Sequence, residues 1–315
     1  MKTTTDSAPP HVPWLGTACC LAAAVGYTGA NICLRQLAEI KADPASVICL
    51  KETTAVVLLC PWLLWRLALG ERGAVQPRAL SILILVALAV QLVGNLGIQW
   101  SLGVVGLVIS LPRVFGALLV GSAVIGMTLF HESLSRRSFV AVVAVVGSIV
   151  LLSVGATGRH DTSVDMSGLL LTVSAMAAAG AGGTAFAGLG AALRYASTAR
   201  IPITVTVVVV TGTGTLSLGT LCLLRLGPTE MLATDPTVLA WIVASGLCNV
   251  VAFSLINKGI QLTTLVHANL LNASQVALGS LAGVLLFHEP YNGFLVGGIV
   301  LTIIGIGLFG KPRRS

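Results

Sequence analysis

With 315 residues, 56% of them hydrophobic and only 9% charged, and a mean hydropathy of +0.96, the chain is too apolar to present a water-facing surface, which excludes a soluble globular domain. The net charge of +7 would point to nucleic acid in a soluble protein. Here the basic residues fall in the breaks between apolar runs, so membrane topology explains them and no polyanionic partner is called for.

Residues 1–13 are polar and broken by prolines, with no short apolar core followed by a cleavage site, and are expected to form a disordered tail. Ten apolar runs follow, at 14–34, 46–67, 79–99, 104–130, 138–156, 168–193, 203–226, 237–257, 263–287 and 294–310. Each suits a membrane helix, since about 17–25 residues cross a hydrocarbon core of about 30 Å. Runs apolar on every face, such as 140–154, exclude a β-barrel, whose strands alternate. The seven cysteines all lie in or beside these runs without a CxxC pair, which suits small buried hydrophobes better than metal ligands or disulfides.

Basic residues crowd one set of breaks: Lys2, Arg66, Arg72, Arg78, Arg136, Arg137, Arg194, Arg200, Lys258, Lys311, Arg313 and Arg314. Only Arg35, Lys41, Arg159 and Arg225 occupy the other set. The positive-inside rule then places both termini in the cytoplasm of a multi-pass protein of the cell membrane.

The tetrapeptide Leu-Phe-His-Glu occurs at 129–132 and again at 286–289, about half the chain apart, which signals a duplication. The expected fold is an all-α integral membrane protein of ten transmembrane helices in two five-helix repeats, 14–156 and 168–310. A linker at 157–167 joins them and a basic tail at 311–315 follows. Five spans per repeat put the second copy upside down relative to the first, and inverted repeats are a recurring transporter architecture with a site near the midplane.

In layout the two copies, 104–155 and 263–310, resemble the carboxyl half of the EamA-type repeat of the drug/metabolite transporter superfamily. An apolar helix ends in an acidic residue (Phe130-His131-Glu132-Ser133 and Phe287-His288-Glu289-Pro290), then come a short polar turn and a glycine-containing apolar helix. Lys51 stands where many members carry an arginine early in the second helix. The resemblance implies a ten-helix carrier of small organic solutes without nucleotide hydrolysis or cofactor, its cavity lined by helices 1, 3, 4, 6, 8 and 9. The first run lacks a carboxylate, so the proton-binding glutamate of the small multidrug relatives has no counterpart here.

Several polar residues inside the runs are candidates for solute binding. Gln91, Asn95 and Gln99, spaced i, i+4, i+8, share a helical face, which suits either a polar solute or interhelical hydrogen bonds. Tyr27 and Asn31 in the first run, Asn249 in the eighth and Asn272 with Gln275 in the ninth extend this polar surface. Arg113, beside Pro112 in the fourth run, is costly in a membrane and so a candidate anchor for a carboxylate or phosphate, or else half of an ion pair with Glu52. Pro112 is a candidate kink. Lys51 and Glu52 are adjacent in the second run, where Lys51 could snorkel, the two could pair, or Glu52 could carry a coupling proton.

No metal site is expected, because Ser135 and Asn292 replace the second histidine that a His-Glu-x-x-His motif needs. Glu132 and Glu289 are expected to cap the following helix or to pair with nearby arginines. Small residues at Ala179, Gly183, Ala187 and Ala191, and at Gly180, Thr184, Gly188 and Ala192, form two ridges suited to close helix packing.

The expected function is secondary transport, in the export direction, of a small polar solute of anionic or zwitterionic character. A membrane enzyme acting on lipid-linked substrates and a non-transporting receptor or scaffold are the alternatives. The expected partners are the solute and membrane lipids, with homo-oligomerisation open.

Overall fold

The computed structural model describes residues 13–69, 76–131, 136–157, 166–228, 234–289 and 293–309. They form α1 (Pro13–Glu39), α2 (Pro44–Ala68), α3 (Pro77–Ala89), a π-helical turn (Val90–Asn95), α4 (Leu96–Leu129), α5 (Arg136–Thr157), α6 (Met166–Thr198), α7 (Ile203–Arg225), α8 (Pro236–Leu262), α9 (Leu265–Asn272), α10 (Ser274–Phe287) and α11 (Gly293–Phe309). The starts follow from local chemistry. Asp43 and Asp235 each precede a proline at the first helical position. Asp43 accepts from the amide of Ser46 at 3.0 Å, and Asp235 from that of Thr237 at 2.7 Å.

Seven helical stretches among the described residues are long and apolar enough to cross a membrane. Their outer faces carry exposed large apolar side chains, as a surface that meets lipid does: Leu216 and Leu224 are 75% and 81% exposed. Toward the end of α2, Arg66 lies over the ring of Trp62 at 5.0 Å, a pairing suited to the headgroup level. This is an all-helical, multi-pass membrane protein.

One of the seven stretches, Pro77–Leu129, has 53 residues. As one rod it would run about 80 Å, far more than the bilayer core. It is broken at Gly106, whose φ of 76° and ψ of 179° lie outside the helical region. The break falls at this glycine, and Pro112 lies within the helix that follows. A second departure from a uniform rod is the π turn at Val90–Asn95. The ninth apolar run is also divided, into α9 and α10 about Ala273.

The second Leu-Phe-His-Glu copy explains the Gly106 break. The Glu289 carboxylate accepts from the amides of Leu107 at 2.9 Å and Val108 at 2.8 Å, capping the part of α4 that begins after Gly106. The Nε of Arg35 donates to the same carboxylate at 3.0 Å, and its guanidinium lies 5.3 Å from the Phe287 ring centre. Against the expectation of a nearby arginine or a cap on the following helix, Glu289 pairs with Arg35 and caps a helix from early in the chain. Glycine is required at 106 twice over, because a Cβ there would sit 2.7 Å from the Glu289 carboxylate. Glu132 of the first copy lies outside the described residues.

The small ridge of α6 packs on α4. Ala179 and Ala187 are fully buried, a Cβ at Gly121 would lie 2.8 Å from that of Ala187, and one on Gly183 would run into the Val114 carbonyl. The second ridge does not do this at Gly180, which faces open space, or at Thr184, which is exposed. A Gly183→Leu variant is expected to force α4 and α6 apart, at a cost above the roughly 1–3 kcal/mol of ordinary overpacking. Loss of the monodisperse peak in detergent size-exclusion chromatography would register it.

Candidate functional site

Where α1, α2, the π turn, α4 and α6–α10 converge, they line a cavity of about 130 Å³. On the same measure about 10–15 Å³ suffices for one water molecule. Its walls are mostly apolar, with Phe115, Phe186 and Phe253 among the largest side chains, and most of its polar groups form two clusters.

The first cluster is centred on α2. Lys51 Nζ lies 2.9 Å from Glu52 Oε1, with both side chains 3% exposed. Asn95 Nδ2 lies 3.5 Å from the same carboxylate oxygen and donates to Gln91 Oε1 at 2.7 Å, while Gln91 Nε2 donates to the Val210 carbonyl of α7 at 3.1 Å. The backbone of α7 presses on this group: a Cβ at Gly214 would sit 2.6 Å from Gln91 Cδ and 2.9 Å from Glu52 Cγ. Lys51 therefore does not snorkel, and Glu52 pairs with Lys51 instead of Arg113.

The second cluster is a relay of amides. Asn31 Nδ2 of α1 donates to Gln275 Oε1 at 3.2 Å, and Gln275 Nε2 donates to Asn272 Oδ1 at 2.7 Å, bridging the division between α9 and α10. Asn269 also lines the cavity and donates to the hydroxyl of Ser122 at 2.8 Å. Each amide keeps further donors or acceptors, so the relay can hold its shape and still meet a polar ligand.

The structure thus brings together Tyr27, Asn31, Lys51, Glu52, Gln91, Asn95, Asn249, Asn272 and Gln275 around one cavity. It places two expected residues elsewhere. Gln99 is buried, donates to the Leu34 carbonyl at 3.2 Å and leaves its Oε1 without a partner among the described residues, outside the cavity wall. Arg113 is half-buried, its Nη1 donates to the Ile109 carbonyl one turn back at 2.9 Å, and it does not line the cavity. An Arg113→Gln variant is accordingly expected to leave solute affinity within about twofold of wild type, a difference of roughly 0.4 kcal/mol in titration calorimetry.

Sequence reasoning missed Asn269 and the three phenylalanines. Asn269 was visible as one of several polar residues in its run, but the helical phase that turns it inward depends on the start of α9 at Leu265. The phenylalanines carry no signal that separates a cavity wall from a lipid-facing side chain. All seven cysteines are free thiols, and no group of His, Cys, Asp or Glu among the described residues could hold a metal ion.

A solved structure titled only "Crystal structure of protein" is similar to this chain with a TM-score of 0.66 over 94% of this chain and 96% of that one. At 18% identity that likeness establishes the fold and no more. No curated protein matches the sequence. Residues 166–310 match the model of the EamA-like transporter family. Over residues 166–310 this multi-pass membrane protein is therefore similar to the EamA-like transporter family.

Proposed function

We propose that the protein is a secondary transporter that carries a small polar organic solute across the cell membrane by alternating access, with export as its working direction. The observation that carries this reading is the central cavity, which takes its walls from both halves of the chain and combines an apolar lining with amides and one ion pair. Such a wall can desolvate the apolar part of a solute and replace water around its polar part.

The ten spans form two inverted five-helix repeats with both termini cytoplasmic. Paired backbone features support the duplication. Among the described residues, the non-glycine residues with positive φ come in two similar pairs, Lys41 with Arg200 at 57° and His131 with His288 at 51°. Each pair is separated by nearly the same interval as the two Leu-Phe-His-Glu copies. The packing supports it as well, because α2 lies against α7 and α5 against α11, each a helix and its counterpart in the other half.

A screen of the purified protein by thermal unfolding against amino acids, organic anions, nucleosides and sugar phosphates tests the reading. A bound solute raises the unfolding midpoint with concentration. A hit that then exchanges across proteoliposomes, faster when loaded on the side equivalent to the cytoplasm, supports it. A hit that is bound but chemically converted would assign an enzyme instead.

A further inference from the structure

The charged groups of the cavity wall bear on which solutes it accepts. Among the residues lining it, only Lys51 and Glu52 carry charge, and Arg113 is excluded from the wall. The two side chains sit on one turn of α2, in contact at 2.9 Å and 3% exposed, so the wall carries a fixed dipole and no net charge. The pair has little room to turn away. Asn95 lies 3.5 Å from Glu52 Oε1 on one side, and the α7 backbone at Gly214 closes the other, where a Cβ would sit 2.9 Å from Glu52 Cγ.

A solute of single net charge entering such a space would bring a charge that the wall does not balance, in surroundings where Coulomb interactions are weakly screened. A solute bearing both charges can lie antiparallel to the dipole, its anionic group on Lys51 and its cationic group on Glu52. Phe115 and Phe253 offer it an apolar wall.

We infer that the Lys51–Glu52 pair sets the charge selectivity of the cavity, admitting solutes that carry both an anionic and a cationic group with zero net charge. Removal of Lys51 leaves a lone carboxylate and turns the preference to cations, and removal of Glu52 leaves a lone ammonium and turns it to anions. The inference rests on the cavity being the solute site of the proposed transporter. It differs from the role of a purely structural ion pair, whose loss would weaken all solutes alike.

The test uses the purified full-length protein and three probes of one shape, measured by titration calorimetry in mildly acidic buffer: leucine as zwitterion, N-acetylleucine as anion and leucinamide as cation. Wild type is expected to bind leucine at least about tenfold more tightly than either charged probe. Lys51→Met is expected to bring leucinamide to the head of the order, and Glu52→Gln to bring N-acetylleucine there.

A single variant leaves a buried charge unpaired and can fail to fold. The double variant Lys51→Met with Glu52→Gln leaves no lone charge and decides the matter in that event, with its three affinities expected to converge within about threefold. A wild type that prefers a charged probe or responds to none, single variants that keep the wild-type order, or a double variant that still discriminates would each overturn the inference. Counterflow of the same probes in proteoliposomes separates the two claims. Charge-ordered binding without flux contradicts the transporter reading alone, and flux blind to charge contradicts this inference alone.

Discussion

Replacing Glu289 with alanine is expected to destabilise the protein by about 2–3 kcal/mol, one of the largest effects of any single polar substitution outside the cavity. The carboxylate is 9% exposed, balances Arg35 and satisfies the amides of Leu107 and Val108 at the Gly106 break. Without it two buried N–H groups and a guanidinium that is 16% exposed lose their shared acceptor, and Arg35 keeps the Phe287 ring and a longer ion-pair contact of 3.3 Å to the exposed Glu39. Glu289→Gln should fall between the two, because one of its terminal atoms becomes an N–H facing another donor. Gly106→Ala should approach the alanine variant, since its Cβ would occupy the place of the carboxylate in a backbone conformation that alanine disfavours. Unfolding midpoints followed by tryptophan fluorescence in detergent would rank these variants, and a Glu289→Ala protein as stable as wild type would remove the capping role.

Gln275→Leu is expected to have the largest effect on solute binding among the uncharged cavity residues. Gln275 is the middle of the amide relay, accepting from Asn31 and donating to Asn272. Leucine fills much the same volume but leaves both neighbours unpaired, and interhelical hydrogen bonds in membranes are worth about 0.6–2 kcal/mol each. Affinity should drop at least tenfold, equivalent to about 1.4 kcal/mol, while the protein remains folded. Titration with the solute identified by the screen measures it. An unchanged affinity would move the solute away from the junction of α9 and α10.

The helices themselves are legible in the sequence because a membrane demands long apolar runs and proteins mark the ends of those runs with capping residues and prolines. The expected span 203–226 is observed as Ile203–Arg225, and 46–67 as Pro44–Ala68. The interruptions inside the runs were harder to read. A π turn has no side-chain signature, so the shift of phase at Val90–Asn95 is invisible, and Gln91 and Asn95 line the cavity while Gln99 on the same expected face does not. Gly106 is one of several glycines nearby, and its role depends on a carboxylate from the far end of the chain. Pro112, the more obvious breaker, is accommodated within α4.

Charge misled in a related way. Arg113 stood out because an intramembrane arginine is rare, yet rarity does not say which way the side chain points, and its helix takes its phase from the break at Gly106. Lys51 and Glu52 start about 100° apart on α2 as adjacent residues. Their long side chains nevertheless converge, with Asn95 and the backbone at Gly214 closing in on Glu52. Adjacency leaves pairing or snorkelling of Lys51 open, and the contact between the side-chain tips selects the pair.

The central claim, that this cavity carries a solute across the membrane, is tested most directly by counterflow of a labelled hit from the binding screen in proteoliposomes. The vesicles would contain purified wild-type or Gln275→Leu protein and no nucleotide. The account predicts transient accumulation of label by wild type, with the rate cut at least about tenfold in the variant. Binding without accumulation, or accumulation undiminished in Gln275→Leu, would contradict it.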